Sequence, residues 1–203
     1  MRRGGAIVPD QPHFDDALLA VFGTLQRNAR CYVEYGCGGS TMVAARLNLP
    51  TTSVEGDAVY AAAVRGRLPP NSSVRMVPVD IGLVGAWSIP TLRRPTRSRV
   101  RRWSAYPRAP FARGEIPRFD LALVDGRFRR ACALELARQS ALAASDCTII
   151  IDDYVGRPSY AAVEAWLGEP ELVGRAALFR IRGGALCRSV SEQDVLDATA
   201  DWQ

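Results

Sequence analysis

Tyr32-Val33-Glu34-Tyr35-Gly36-Cys37-Gly38-Gly39-Ser40-Thr41 decides the fold of this chain. A short β-favouring apolar run stops in a glycine-rich turn and passes into the helical pattern Met42-Val43-Ala44-Ala45. Three glycines within four positions let the main chain turn sharply and let a ligand approach it closely. Ser40 or Thr41 is placed to cap the helix that follows. Strand, glycine turn and helix N-terminus, in that order, make a nucleotide-type site at the rim of a parallel sheet.

The other half of such a site stands at Glu55. Thr51-Thr52-Ser53-Val54-Glu55 reads as a second short strand ending in an acid, 19 residues beyond Gly36. A carboxylate at that distance can accept the hydroxyls of an adenosine ribose. The dinucleotide fingerprint G-x-G-x-x-G would need glycine at position 41, where Thr41 stands. Glu34, two residues before the first glycine, suits a ligand with positive charge better than a pyrophosphate.

Outward from these strands the chain alternates. Residues 14–27 have helical apolar spacing, with Asp15 and Asp16 in the first turn where the helix dipole favours acids. Strands are expected at 31–35, 51–55, 74–80, 119–126 and 147–153. Helices are expected at 41–47, 57–68, 131–144 and 159–167. Pro78 assigns the third strand to a sheet edge. Residues 172–190 hold two more strands, and Arg182-Gly183-Gly184 between them reads as the turn of an antiparallel hairpin. Alternating βα units imply a mostly parallel sheet with helices on both faces.

Glu34-Tyr35-Gly36-Cys37-Gly38 resembles the first motif of the class I S-adenosylmethionine-dependent methyltransferases, acid-x-Gly-x-Gly-x-Gly, with Ser40 in place of the third glycine. The resemblance spans roughly residues 30–190 as a pattern of elements. It implies an α/β, Rossmann-like three-layer sandwich: a seven-stranded, mostly parallel sheet with a C-terminal antiparallel hairpin. It also implies S-adenosylmethionine as cofactor. Tyr35, Gly36, Cys37, Gly38, Gly39 and Ser40 would lie under its methionine part, with Glu34 near the amino end. Glu55 and Gly56 would hold the ribose, Asp80 and Ile81 would flank the adenine, and Asp125 would reach the same rim.

Length and composition are consistent with this. A chain of 203 residues, 48% hydrophobic, suits one domain with a real core. No apolar stretch is long enough for a membrane span, and Met1-Arg2-Arg3-Gly4-Gly5 is not followed by the apolar region of a signal peptide. Cytoplasmic residence is the expectation. Five cysteines without a Cys-x-x-Cys pair read as reduced small hydrophobes. All 26 basic residues are arginine, the coding bias of a GC-rich bacterial genome. The absence of lysine excludes Schiff-base chemistry and the P-loop. With His13 as the lone histidine, a serine hydrolase triad or a histidine-built zinc site is hard to assemble.

The segment at about 81–118 interrupts the alternation. It carries nine arginines against one acid, Glu115, more than the chain's whole net charge of +5, so the remainder is slightly acidic. It also holds Trp87, Trp103 and Tyr106. A connection this long is uncommon unless functional, and it emerges at the strand ends where ligands bind. A lid over an anionic substrate is the favoured reading, with Trp103 in contact. RNA binding through phosphates and stacking, a solvated basic loop and a self-association arm stand as alternatives.

Asp125 ends the fourth strand and Asp152-Asp153 the fifth, so their carboxylates converge at one rim. The set resembles the acids of metal-dependent catechol-type O-methyltransferases, with Asp153 in place of an asparagine, and would suit a divalent metal. The reading preferred to a metal has Asp125 contacting cofactor or substrate, and Asp152 and Asp153 capping a helix and pairing with Arg127, Arg129 or Arg157. Arg127, Asp153 and Tyr154 are candidate substrate contacts, and Asp125 is the candidate proton acceptor. Together these readings describe methyl transfer to an oxygen or nitrogen of a small-molecule or carbohydrate-like acceptor. A non-catalytic ligand-binding module and an RNA methyltransferase using the basic segment are the alternatives.

Overall fold

The computed structural model describes residues 7–112 and 118–202; the expectations resting on Met1–Gly5, Arg113 and Glu115 lie outside the described residues. In chain order the elements are α1 (Asp16–Asn28), β1 (Tyr32–Tyr35), α2 (Gly39–Arg46), β2 (Thr51–Glu55), α3 (Ala58–Arg67) and β3 (Val74–Pro78). There follow α4 (Arg97–Trp103), α5 (Ala105–Arg108), β4 (Leu121–Val124), α6 (Arg129–Leu142) and β5 (Cys147–Ile151). The chain closes with α7 (Pro158–Ala161), α8 (Glu164–Leu167), β6 (Glu171–Val173), β7 (Ala176–Ile181) and α9 (Glu192–Thr199).

The strands form one seven-stranded sheet in the order β3-β2-β1-β4-β5-β7-β6. The first five strands run parallel, while β7 runs antiparallel to both β5 and β6. This is the Rossmann-like architecture the sequence implies. β1, β2 and β4 are buried along their whole length, as strands covered on both faces must be. β3 lies at the edge and ends at Pro78, which has no N–H to give a further neighbour.

Side-chain alternation splits the core in two. Tyr32, Leu121, Leu123, Ile150 and Leu178 pack on Leu18 and Phe22 of α1 and on Phe14 just before it. Val33, Tyr35, Val54, Ala122, Val124, Ile149 and Ile151 share the larger core with α6 and with Trp103, Tyr106 and Phe128. The basic segment therefore belongs partly to the core. Trp103 and Tyr106 of α4 and α5 insert between the sheet and Phe128, with ring centroids 5.5 and 5.7 Å from that ring.

Four expectations about elements are corrected. α2 starts at Gly39, so Ser40 lies inside its first turn and does not cap it, while Thr41 closes a capping box by accepting the N–H of Gly38, the N-cap residue. The helix expected at 159–167 is two short pieces, α7 and α8. The terminal hairpin turns at Gly174-Arg175, not at Gly183-Gly184. A tertiary contact selects that turn: Asp15 caps α1 by accepting from the Leu18 N–H at 2.9 Å and also accepts the Arg175 N–H at 2.7 Å. Gly184 serves close packing instead, since a Cβ there would meet the Ser140 carbonyl oxygen of α6 at 2.7 Å. Finally, α9 has no counterpart among the expected elements; its signal is the capping box Ser191–Asp194.

Candidate functional site

Strand register builds the site. Tyr35 pairs with Val54 and with Val124, and Val124 pairs with Ile151. The next residue of each strand or its turn is therefore Gly36, Glu55, Asp125 or Asp152, all on the same rim. Gly36 (φ +91°) and Gly126 bring two turns into contact: a Cβ on Gly36 would lie 2.9 Å from the Gly126 nitrogen, and one on Gly126 would lie 2.3 Å from the Tyr106 hydroxyl. Gly39 is closed from outside, because a Cβ there would meet the Gln11 carbonyl oxygen at 2.0 Å.

Glu34 holds the glycine turn from beneath. Its carboxylate is fully buried and accepts from the Tyr32 hydroxyl at 2.9 Å, the Ser40 hydroxyl at 2.7 Å and the Thr41 hydroxyl. Thr41 in turn accepts the Gly38 N–H at 2.9 Å. Burial pushes the Glu34 carboxyl up, opposed by these hydroxyls. The expectation that Glu34 meets the positive end of a ligand is corrected: its acceptor positions serve the turn and α2. Ser40 likewise donates inward.

Glu55 is the acid of the second strand. Its Oε2 accepts the Cys37 N–H at 3.2 Å, which ties the glycine turn to β2. Its Oε1 accepts the Asp57 N–H at 2.8 Å and the Ser88 hydroxyl at 2.6 Å. Ser88 belongs to a compact loop in which Gly85 N–H donates to the Ile89 carbonyl and Thr91 N–H to the Leu83 carbonyl. A hydroxyl on Glu55 is the contact a ribose would make, so the carboxylate has the chemistry the expectation requires. Burial and the Glu55 charge push the neighbouring Cys37 thiol up, keeping it a neutral thiol.

The two residues expected to flank an adenine differ. Ile81 is buried, and its Cδ1 lies 2.6 Å from where a Gly56 Cβ would stand. Asp80 points to solvent, pairs with Arg102 and accepts the Gly82 N–H at 3.0 Å. The Arg102 contact draws its carboxyl below the usual range.

Asp125, Asp152 and Asp153 converge, with one oxygen from each lying within 4.8 Å of the others. Arginines meet them. Arg129, itself buried, reaches Asp125 at 3.0 Å and Asp153 at 3.5 Å. Arg175 reaches Asp152 at 2.7 Å and Asp153 at 3.0 Å, and Arg157 reaches Asp153 at 3.4 Å. The expected pairing therefore holds for Arg129 and Arg157 but not Arg127. Arg175 escapes a sequence reading because it arrives from the β6–β7 turn. These cations already answer the charge that would draw a divalent metal. Asp125 stays 39% exposed at the rim. Its carboxyl is raised to about 7, by desolvation first and by the neighbouring aspartates, against the pull of Arg129 and Arg175.

Trp103 is not a substrate contact in this geometry. It is 1% exposed, and its indole N–H donates to the Ile81 carbonyl at 3.0 Å, so it supports the loop after β3 from the core. Tyr154 packs on Phe179 and donates to Glu164 at 2.6 Å. It lines a cavity of about 330 Å³ with Val155, Arg157, Glu164 and Leu172, beyond the end of β5. Arg127 follows Gly126 at the rim, half-buried.

Among the described residues, no helix is long and apolar enough to cross a membrane. No family model matches the chain, and no curated protein matches it. A hypothetical protein of Thermus thermophilus aligns at 17% identity over 88% of this chain and 94% of that one, with a TM-score of 0.46, too remote to bear on function. A methyltransferase-like protein from Silicibacter pomeroyi DSS-3, solved by crystallography, aligns at 31% identity over 96% of this chain and 100% of that one, with a TM-score of 0.78. Identity at that level over the whole of both chains means that this protein belongs to the family of that methyltransferase-like protein.

Proposed function

We propose that the protein transfers a methyl group from S-adenosylmethionine to an oxygen or nitrogen of a small-molecule or carbohydrate-like acceptor. One observation carries the reading: the Cys37 N–H of the glycine turn is joined to Glu55 at 3.2 Å, so turn and ribose-type acid form one unit at the rim. The methyltransferase-like relative supports the reaction class.

When bound, the cofactor supplies an electrophilic methyl group. The chain's own contribution is position and proton transfer. Of the turn glycines, Gly38 leaves room for a ligand close to the main chain, while Gly36 and Gly39 let the turn pack on Gly126 and Gln11. Glu55 accepts ribose hydroxyls in place of Ser88, and Ile81 offers an apolar face. Alignment of two bound reactants supplies most of the acceleration in such a site. Asp125, with a carboxyl raised to about 7, accepts the proton that the acceptor hydroxyl or amine loses.

Titration calorimetry with S-adenosylmethionine and S-adenosylhomocysteine tests the reading, beside Glu55→Ala and the shape-preserving Glu55→Gln. Binding to wild type that both variants lose supports it. No binding of either ligand to folded wild type overturns it.

A non-catalytic module is the second reading, favoured by the Ser88 hydroxyl on Glu55; it predicts binding without turnover for any acceptor. RNA methylation rests on the exposed arginines 93, 94, 97, 101 and 102. It predicts salt-steep RNA affinity that is lost on deleting residues 93–102.

A further inference from the structure

We infer that Arg127 anchors an anion subsite beside the glycine turn, and that the methyl acceptor carries an anionic oxygen group, carboxylate or phosphate, that this guanidinium binds. The inference rests on the methyl-transfer reading above and names the acceptor class.

The rim holds four arginines, and three are answered. Arg129, Arg157 and Arg175 each meet an aspartate within 3.5 Å. Arg129 also donates to the carbonyls of Gly126, Asp125 and Asp152. Arg127 differs: its Nε is buried and has no hydrogen-bond partner among the described residues. No carboxylate among the described residues forms an ion pair with it, although Asp125, two residues earlier, is within electrostatic reach. Burial and the like charge of Arg129 draw its pKa down, against the pull of Tyr160, Tyr106 and Asp125.

A buried guanidinium nitrogen without a hydrogen-bond partner is costly. The fold could have removed that cost, since the neighbouring arginines show how carboxylates are supplied here. Leaving Arg127 without a carboxylate keeps its planar guanidinium for a ligand, and such a group matches carboxylate and phosphate in two-point contact.

Position argues the same way. Arg127 directly follows Gly126, whose nitrogen packs against Gly36 of the glycine turn and whose α-carbon faces the Tyr106 hydroxyl. It lies two residues after Asp125, the proposed proton acceptor. Tyr160, buried beside it, is flanked by Arg129 and Arg157 at 5.8 and 5.6 Å from its ring. An anion held by Arg127 therefore lies near Tyr160, with the rest of its molecule beside both the glycine turn and Asp125.

The test needs no cofactor. Thermal unfolding of the full chain is followed during titration with inorganic phosphate and, separately, with acetate, at constant ionic strength. Wild type should be stabilised by at least one of the two, and the arm that responds distinguishes phosphate from carboxylate. Arg127→Met should unfold no lower than wild type in anion-free buffer and should lose the anion-dependent shift. Arg127→Lys, which keeps the charge without the fork, should bind the same anion several-fold more weakly. The inference is overturned if neither anion stabilises wild type, if Arg127→Met keeps the full shift, or if it unfolds well below wild type while Arg127→Lys does not weaken the anion. Calorimetry with S-adenosylmethionine on wild type is a separate readout: binding there with no anion response defeats this inference alone, and absent binding defeats the methyl-transfer reading instead.

Discussion

Ser88 donates its hydroxyl to Glu55 at 2.6 Å, across a sequence separation of 33 residues. It does so from a left-handed backbone, φ +55°, next to Trp87 at φ +58°. Non-glycine residues seldom adopt that conformation, so two in succession mark a loop held by its contacts. Trp87 beside it is 79% exposed, so little burial offsets that backbone. The loop is fastened over Glu55 by the Ser88 hydroxyl, and at its base Val84 packs on the core and Pro90 is buried.

Removing that hydroxyl should free the acid. Ser88→Ala is expected to tighten S-adenosylhomocysteine binding, because the ligand no longer displaces a competing donor. A net hydrogen bond is worth about 1 kcal/mol, so the gain should be on the order of fivefold. Trp87 fluorescence should change on ligand addition in wild type, reporting the displaced loop. Unchanged affinity in the variant would mean that Ser88 stays on Glu55 in the complex.

Glu34 is a structural carboxylate with three hydroxyl donors. Glu34→Ala should lower stability by about 2–4 kcal/mol, since three hydroxyls lose their acceptor in a dry site. Denaturant unfolding measures it. Glu34→Gln keeps an acceptor oxygen and should cost clearly less.

Asp125 sets a pH dependence. With its carboxyl raised to about 7, turnover should rise with pH through that value and level off above it. Asp125→Asn should flatten the rise and lower kcat by about 10²-fold or more. The stability effect has the opposite sense. A carboxyl raised from 3.8 to about 7 on folding contributes stability at low pH that is lost as pH climbs through that interval. The melting temperature of Asp125→Asn relative to wild type should therefore be more favourable at pH above about 7 than at low pH.

Gly126 is where the two turns of the rim meet. Gly126→Ala would place a methyl 2.3 Å from the Tyr106 hydroxyl and 2.9 Å from the Gly36 nitrogen. Overpacking of this kind costs about 1–3 kcal/mol. Cofactor affinity should fall with stability, because relief requires moving the glycine turn or α5.

Trp103 should behave as core. Trp103→Ala is expected to cost about 3–5 kcal/mol of stability by denaturant unfolding. Trp103→Phe should restore most of that stability but not the indole hydrogen bond to Ile81.

How much of this was legible follows from where each signal lies. The strand-turn-helix from Tyr32 to Met42, the alternation of apolar runs, and the acids ending β2, β4 and β5 are local patterns. Backbone preference and burial period specify them, so the sheet, its mostly parallel sense and the edge position of β3 could be read directly. The roles of those residues could not. Glu34 and Glu55 are both acids at strand ends, yet one faces three hydroxyls inside the core and the other faces the rim. Both are buried, so the face each presents separates them, and that comes from packing against α1 and α2. Gly183-Gly184 and Gly174-Arg175 both have turn chemistry; the Asp15 carboxylate, 160 residues from Arg175 in sequence, decides between them. Trp103 reads as a lid aromatic by composition and becomes core because α4 and α5 fold back onto Phe128. Sequence alone thus determined the parallel strands and the helices between the first three of them, their order and the acids available to the site. Only tertiary structure decided which acids are spent on the fold and that Ser88 covers Glu55. It also decided that, among the described residues, Arg127 of the four rim arginines is left without a carboxylate. Each of these depends on long-range contacts that no local pattern encodes.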